Sequence, residues 1–360
     1  SNGIQTEETN LPANEKLTVY REDQPLPTKI MVIGVAEFAV SHAGLVDNCI
    51  PVSNWVFPEN KLSGFRDYDI TDDILAFYTK YIAPYPYKKL ANVQSKTIFG
   101  GMENAGAIFY FENSVNGLGD QETLIAHEIV HQWFGNMATE KSFTHLWLSE
   151  GFATYLTHVF IESKYGKDSL AKRMQKDRDD VIAFTKSSRR PVVDNTKDYM
   201  SLLNDNSYQK GSWILHMLRN EVGDSAFQKS IRQYYYMYAG KNADTKDLQK
   251  VFEQVSGKKL HNFFDQWLYT GENPELKINW EYNLSKRSVD ITVQQLQKKV
   301  FEFPIEFSIA DDKGKKIYHT YIVNKAENKF SHPVNFKPTD LMADPNTRLL
   351  LEGTVQGKNK

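Results

Sequence analysis

The stretch His127-Glu128-Ile129-Val130-His131 decides how this chain folds and which chemistry it carries. On a helix, residues four apart lie on the same face, so both imidazoles can reach one metal ion. Glu128 then stands beside the open position of that ion, where a carboxylate can take a proton from water. The alternative is a solvated helix face that carries two incidental histidines. The stretch alone therefore favours a zinc helix and leaves that alternative open.

A third ligand strengthens the zinc interpretation. Eighteen residues separate His131 from Glu150, which lies in an apolar segment that reads as a helix. A glutamate on such a helix is costly to bury without a partner, and Zn²⁺ supplies one. Two histidines and one glutamate leave a fourth coordination position open, which is typical of catalytic zinc, whereas structural zinc sites are closed by four protein ligands. We expect one Zn²⁺ per chain.

Length and composition exclude several other classes of protein. The chain has 360 residues, which corresponds to two or three domains, and its formal net charge is −2. A charge of that size does not concentrate a polyanion, so we expect no nucleic-acid partner. The apolar run 30–40 is interrupted by Gly34 and Glu37 and is too short to span a bilayer, so we expect no membrane association. The single Cys49 excludes a disulfide within the chain.

The hydrophobic periodicity changes twice along the chain and predicts an α+β protein of three parts. Residues 1–70 read as the remnant of a β domain, with strands at Leu17–Tyr20 and Ile30–Val35. Residues 71–272 read as a mostly helical domain with a small sheet, and residues 273–360 read as a small β-sandwich. The predicted helices start at Thr71 and then cover 121–135, 146–165, 168–184, 207–222, 224–239, 245–255 and 259–268. The predicted strands are 91–98, 107–112, 276–280, 289–294, 303–309, 316–323 and 348–351, and the last four residues are expected to fray.

A glycine-rich turn, Gly100-Gly101-Met102-Glu103-Asn104, precedes the zinc helix, with Glu103 lying 24 residues ahead of His127. Taken alone, it is an ordinary hairpin turn. In this order, the turn, the histidine pair and Glu150 together resemble the M1 family of zinc aminopeptidases, within the gluzincins. The resemblance covers about residues 30–350. It implies a thermolysin-like catalytic domain that hydrolyses N-terminal residues from peptides with a free N-terminus.

The resemblance also implies roles for individual residues. The zinc ligands would be His127, His131 and Glu150, and Glu128 would be the general base that activates the attacking water. Tyr208, in Tyr208-Gln209-Lys210-Gly211, matches a Tyr-x-Lys-Gly signature and would donate to the developing oxyanion.

The glycine-rich turn would bind the substrate. Glu103, flanked in the turn by Met102 and Asn104, would hold the α-ammonium of the peptide. The backbone of Gly100 and Gly101 would hydrogen-bond the peptide, and Phe99 would line the pocket for its first side chain.

Two departures from the family pattern stand out. Ser149 occupies a position that is often Asn, which is expected to alter the orientation of the ligands without removing zinc. Residues 1–70 would be only the last part of a large N-terminal β domain, so the chain is expected to be a fragment. The family's second amine-binding residue, which that domain normally contributes, has no assignable counterpart in this sequence.

Other functions stay open at this point. The chain could be a zinc-binding scaffold that is catalytically impaired by truncation, a bifunctional aminopeptidase and epoxide hydrolase, or a gluzincin endopeptidase. The last is disfavoured by Glu103, whose fixed charge selects a free N-terminus.

Overall fold

The first part of the chain forms strands and loops, in a computed structural model that describes residues 1–358. Its strands are β1 (Ile4–Asn10), β2 (Lys16–Arg21), β3 (Ala39–Val46) and β4 (Ile50–Val56). β1 and β2 pair as an antiparallel hairpin, which confirms the predicted strand at Leu17–Tyr20.

The predicted strand Ile30–Val35 is wrong. Thr28–Ile30 form one turn of 3₁₀ helix, and the chain continues as a loop in which Val35 is 92% exposed. The Ile30 carbonyl accepts hydrogen bonds from the Ala105 amide and the Asn2 side chain instead of from a neighbouring strand. Apolar composition favoured a strand here. Side chains take the backbone groups of the segment instead, because the Val32 amide also donates to Asn2 Oδ1 and the Val32 carbonyl accepts from Ser1 Oγ.

A five-stranded sheet carries the glycine-rich turn. β5 (Leu90–Ser95), β6 (Gly101–Met102) and β7 (Ala107–Phe111) join β3 and β4 in the order β3-β4-β5-β7-β6. The predicted strands 91–98 and 107–112 correspond to β5 and β7. The sheet crosses the predicted boundary at residue 70, and the division of the chain at 70 and 272 stays a prediction. The short strand β6 lies at the edge of this sheet.

The middle of the chain is mostly helical. The helices are α1 (Lys61–Asp67), α2 (Thr71–Tyr81), α3 (Glu122–Val130), α4 (Trp147–Tyr165), α5 (Lys167–Ser187), α6 (Gly211–Val222), α7 (Asp224–Tyr238), α8 (Thr245–Ser256) and α9 (His261–Leu268). The short strands β8 (Ala138–Glu140) and β9 (Lys241–Ala243) pair in parallel. None of the helices within residues 1–358 is both long enough and apolar enough to cross a membrane.

All eight predicted helices are present, as α2 to α9, and two of them differ from the prediction by more than three residues at one end. The predicted helix 121–135 stops at Val130, where the chain turns towards β8. The predicted helix 207–222 begins with π-helical turns at Asn206–Lys210 before α6. Both differences at helix ends occur next to a residue whose side chain lies in the site described below. Helix α1 was not predicted.

The helical core is aromatic and lies behind the histidine pair. Trp133, Trp147 and Trp213 are fully buried, and the rings of Phe134 and Phe152 stack 4.5 Å apart. Burial of large aromatic side chains contributes most per residue to such a core. The core therefore holds α3 and α4, the two helices that carry the candidate ligands, against each other.

The C-terminal part contains two sheets. Its strands are β10 (Glu275–Asn283), β11 (Ser288–Gln295), β12 (Phe303–Ala310), β13 (Lys316–Val323), β14 (Glu327–Pro333), β15 (Asp340–Ala343) and β16 (Glu352–Lys358). One sheet has the order β14-β11-β10-β16 and the other β13-β12-β15. Val289, Ile291 and Val293 point inward at every second position of β11, as expected for strands with one face in a core.

The predicted strand at Arg348–Leu351 is wrong, because the strand begins only at Glu352 and pairs in parallel with β10. The residues before it are held by helix side chains: Arg178 binds the Asp344 carboxylate and the Leu349 carbonyl, and His216 Nε2 lies 2.8 Å from the Thr347 carbonyl oxygen. The expected fraying of the last four residues is contradicted for Gly357 and Lys358, which belong to β16. Residues 359–360 lie outside the described part.

Candidate metal centre and active site

Three side chains from two helices converge on one point. His127 lies in the last turn of α3, and His131 follows the end of this helix with backbone angles that are still helical. Their Nε2 atoms are 3.1 Å apart, and Glu150 Oε2, from the first turn of α4, lies 3.4 Å from each of them. Within residues 1–358, this is the one cluster of three or more His, Cys, Asp or Glu side chains that could hold a metal ion.

The spacing of these atoms suits zinc. Ligand bonds of about 2.0–2.1 Å at tetrahedral angles put ligand atoms about 3.3 Å apart. The observed separations of 3.1, 3.4 and 3.4 Å agree with this value. Imidazole nitrogen and carboxylate oxygen are also the donors that zinc accepts in catalytic sites. The residues present therefore fit the metal that the sequence predicts.

The orientation of His131 is set by contacts on the far side of its ring. His131 Nδ1 lies 3.1 Å from the Phe134 carbonyl oxygen, to which it donates, and 3.2 Å from Ser149 Oγ. This leaves the Nε2 lone pair for a metal. Ser149, where the family often has Asn, thus contacts a candidate ligand. Gly135 makes this contact possible, because a Cβ there would lie 2.3 Å from Ser149 Oγ.

The buried surroundings shift the pKa values of two carboxylates in the site, Glu150 and Glu128, in opposite directions. Burial alone would raise the pKa of Glu150, but the neighbouring His131 and His127 outweigh it and hold this pKa well below its usual range. Burial raises the pKa of Glu128 to about 8 against the opposing effect of His131, and the charges of Glu103 and Glu150 add smaller contributions in the same direction as burial. In the metal-free protein, Glu150 is therefore a carboxylate, and Glu128 is able to hold a proton near neutral pH.

Glu128 lies directly under the glycine-rich turn. A Cβ at Gly101 would lie 2.5 Å from the Cδ and Oε1 atoms of Glu128, so that no larger residue fits there without a shift. The predicted base and the predicted peptide-binding strand β6 are therefore in contact. Gly100 has more room, because a Cβ there would meet only Leu124, at 3.8 Å.

Two side chains fix the turn at Glu103, which is a buried residue. The Glu103 carbonyl accepts hydrogen bonds from Gln132 Nε2 at 2.9 Å and from Asn136 Nδ2 at 2.6 Å. The Asn104 amide donates to the Met102 carbonyl at 2.8 Å, which closes the turn. Sequence reasoning missed Gln132 and Asn136. The only signal for them in the sequence was their position, one and five residues after His131.

Tyr208 reaches the site from the π-helical segment before α6. Its ring lies 6.0 Å from the His127 ring, at an interplanar angle of 15°. Burial, followed by the charges of Glu150, Glu103 and Glu128, raises the pKa of Tyr208 far above its usual value, so the phenol stays protonated and can donate. Gly151 and Gly211 allow α4 and α6 to approach closely, since a Cβ on either would lie 2.9 Å from the Cα of the other.

The structure thus brings together most of the residues that the sequence singled out. One continuous site contains the three candidate metal ligands, Glu128 in contact with Gly101, and Tyr208 beside His127. Met102 lies in β6 opposite Phe109, and the Gly100 carbonyl accepts from the Phe111 amide. Phe99 lies on the loop before β6 and is 39% exposed, and its predicted role in a side-chain pocket stays a prediction.

Comparison with known proteins gives the family. The pattern of the Peptidase family M1 domain matches residues 66–267, more than half of the chain. The chain belongs to peptidase family M1. This M1 chain is 29% identical over 278 residues to Aminopeptidase M1-C of Oryza sativa subsp. japonica, covering 72% of this chain and 31% of that protein. It is 28% identical over 292 residues to Glutamyl aminopeptidase of Homo sapiens, covering 75% of this chain and 30% of that protein.

Comparison with solved structures also finds the M1 fold. The crystal structure of Legionella pneumophila aminopeptidase A in complex with aspartic acid superimposes with a TM-score of 0.82 at 18% sequence identity. The match covers 98% of this M1 chain but 42% of the Legionella chain. The chain spans between 30% and 42% of the length of these three relatives, in agreement with the expected fragment.

Proposed function

We propose that this chain is the catalytic part of a zinc-dependent aminopeptidase that removes N-terminal residues from peptides. The observation that carries this proposal is the convergence of His127, His131 and Glu150 within 3.4 Å of one another, with Glu128 beside them. The relatives named as aminopeptidases support the same activity. Peptides with a free N-terminus are the proposed substrates.

One Zn²⁺ per chain would be held by His127, His131 and Glu150. When bound, the ion supplies a Lewis acid for the scissile carbonyl and lowers the pKa of water to about 7. The contact of His131 Nδ1 with the Phe134 carbonyl supports the tautomer that such a ligand requires.

Glu128 is the proposed general base. Its carboxylate takes a proton from the attacking water and returns it to the leaving amine. A pKa of about 8 without metal supports a group that can hold a proton near neutral pH, and a nearby cation would lower this pKa towards the ionised form that a base needs. The contact with Gly101 restricts where its carboxylate can lie.

Tyr208 is the proposed donor to the oxyanion that develops on the peptide carbonyl. A partly buried phenol with a strongly raised pKa donates a hydrogen bond without losing its proton. Removing one such donor from comparable sites costs about 3 kcal/mol of transition-state stabilisation.

Glu103 and β6 are the proposed substrate-binding elements. A peptide can add to the edge of a sheet by backbone hydrogen bonds, and β6 is one of the two edge strands of the five-stranded sheet. Glu103 follows β6 directly, so a bound peptide whose α-ammonium meets its carboxylate is fixed at its N-terminal residue. Gln132 and Asn136 hold the Glu103 backbone in this position.

The test compares alanine p-nitroanilide with its N-acetylated form, with and without a chelator. We expect hydrolysis of the free substrate only, and loss of activity on chelation. Glu128→Gln should retain one zinc per chain and lose at least about 100-fold in rate. Glu122→Gln is the matched control, since Glu122 lies on the same helix and its carboxylate binds Lys164.

Three outcomes would contradict the proposal. Equal cleavage of the blocked substrate would indicate an endopeptidase, and retained activity in Glu128→Gln would exclude Glu128 as the base. Stoichiometric zinc without hydrolysis of any substrate would indicate a non-catalytic scaffold.

A further inference from the structure

A buried ion pair lies outside the set of residues discussed so far. Lys29, in the 3₁₀ turn Thr28–Ile30, donates from Nζ to Glu140 Oε1 at 2.5 Å. The Glu140 side chain, at the end of β8, is 3% exposed, whereas the Lys29 side chain is 23% exposed. The cation is therefore the member of the pair that faces solvent.

Hydrogen bonds hold the segments that carry Lys29 and Glu140 against the turn that contains Glu103. The Ile30 carbonyl, next to Lys29, accepts from the amide of Ala105, two residues after Glu103, at 3.4 Å. On the other side, Asn136 donates to the Glu103 carbonyl at 2.6 Å, and β8 with Glu140 begins two residues later. Both segments that carry the ion pair thus border the turn of the proposed amine site.

The surroundings keep Lys29 charged. Burial disfavours its ammonium, but the carboxylates of Glu140, Glu103 and Glu150 outweigh burial and raise the pKa of Lys29. The Phe143 ring lies 5.7 Å from Nζ, and the Tyr199 ring lies 5.3 Å from that of Phe143. Both aromatic side chains are partly exposed, so they form an open wall next to the cation.

We propose that Lys29 binds the side-chain carboxylate of an N-terminal Asp or Glu, while Glu103 binds the α-ammonium of the same residue. This inference rests on the proposed aminopeptidase function and assigns its substrate class. An ammonium has three N–H donors, and within residues 1–358 the Glu140 carboxylate takes one of them. Glu140 lies beneath the Lys29 ammonium and orients it. A basic N-terminal residue would place its positive charge next to that of Lys29 and be disfavoured.

The test uses two substrates that differ by one charge, glutamyl and glutaminyl p-nitroanilide. The key variant is Lys29→Met/Glu140→Gln, because removing Lys29 alone would leave a buried carboxylate without a partner and destabilise the fold. We expect its glutamyl-to-glutaminyl ratio of kcat/KM to fall by about tenfold to a hundredfold, as for a lost hydrogen bond to a charged group. Glu140→Gln alone leaves the cation unneutralised and should raise the ratio.

Lys88→Met is the matched control, because Lys88 pairs with Asp23 at the surface. Lys88→Met should keep both the wild-type ratio and the wild-type rate on alanine p-nitroanilide. An unchanged glutamyl-to-glutaminyl ratio in the double variant would overturn the proposal and leave the pair a purely structural one. A wild-type preference for the glutaminyl substrate would overturn it as well.

A binding measurement separates this inference from the proposed function. If the zinc-loaded protein hydrolyses no anilide, the aminopeptidase proposal fails, and calorimetry with L-glutamate and L-glutamine still tests Lys29. Tighter binding of glutamate by the wild type, lost in the double variant, would support the assignment. Equal binding of the two amino acids by the wild type would overturn it.

Discussion

Replacing Gly101 with alanine tests whether Glu128 has to lie directly under the backbone of β6. A Cβ at residue 101 would lie 2.5 Å from Cδ and Oε1 of Glu128. Nonbonded carbon atoms settle at about 3.5 Å, so the two groups must separate by about 1 Å. Because Glu128 is buried, its carboxylate cannot swing into solvent and has to move within the site.

The size of the effect follows from this displacement. A misplacement of about 1 Å in a positioned catalytic group costs on the order of 100-fold in rate, or about 2.7 kcal/mol. Overpacking a buried site also lowers the free energy of unfolding by about 1–3 kcal/mol. We therefore expect kcat/KM to fall about 100-fold in Gly101→Ala. Zinc content should stay at one per chain, because the close contacts of the added Cβ are with Glu128 and not with a ligand.

The assay is hydrolysis of alanine p-nitroanilide, with zinc content and melting temperature measured on the same preparations. Gly100→Ala is the control, since its Cβ would make an ordinary contact with Leu124 at 3.8 Å and all backbone groups remain. A change of about twofold is expected there, as for substitutions without steric conflict. A shift of β6 instead of Glu128 would appear mainly as a raised KM.

Wild-type kcat/KM in Gly101→Ala, with zinc bound, would refute this reasoning. A double-mutant cycle gives a second check. Glu128→Asp withdraws the carboxylate by one methylene, so Gly101→Ala should cost less in that background than in the wild type. Additive effects would mean that the two residues act independently.

Three further predictions concern the metal and the fold. Gly135→Ala should weaken zinc binding about 10- to 100-fold in a chelator competition, because residue 135 has φ of 112° and a Cβ there would lie 3.0 Å from His131 Nδ1. Unchanged affinity would contradict the proposed support of this ligand. Burial lowers the pKa of Lys210 to about 7 in the folded protein. At pH values between 7 and the higher pKa that this lysine has in the unfolded chain, the unfolded state binds more protons than the folded state. The free energy of unfolding in urea should then rise with pH by up to about 1.4 kcal/mol per unit, and Lys210→Met should lack this slope. Removing zinc should lower the melting temperature, because an ion present at 100 times its Kd stabilises the folded state by about 2.7 kcal/mol, and equal melting temperatures with and without zinc would show that the site does not support the fold.

Helices of this fold could be predicted from sequence because their signals are local. The apolar spacing of α2 and the long runs of α4 and α5 lie within single segments, and the structure has these helices. Strands depend on partners far away in sequence. Ile30–Val35 has strand-like composition, yet the structure has a loop there, and β16 forms by parallel pairing with β10, more than 70 residues earlier in the chain.

The difference between local and long-range signals also applies to the site, where it has a chemical cause. A zinc ion requires ligand atoms about 3.3 Å apart, and one helix provides this with histidines four residues apart, so the requirement is written into a short stretch of sequence. A side chain that reads the substrate needs only to reach the pocket, and any segment can supply it. Lys29 and Glu140 are 111 residues apart, and no spacing links them. Sequence patterns therefore reveal the reaction of such a site earlier than its choice of substrate, which depends on contacts that exist only after folding.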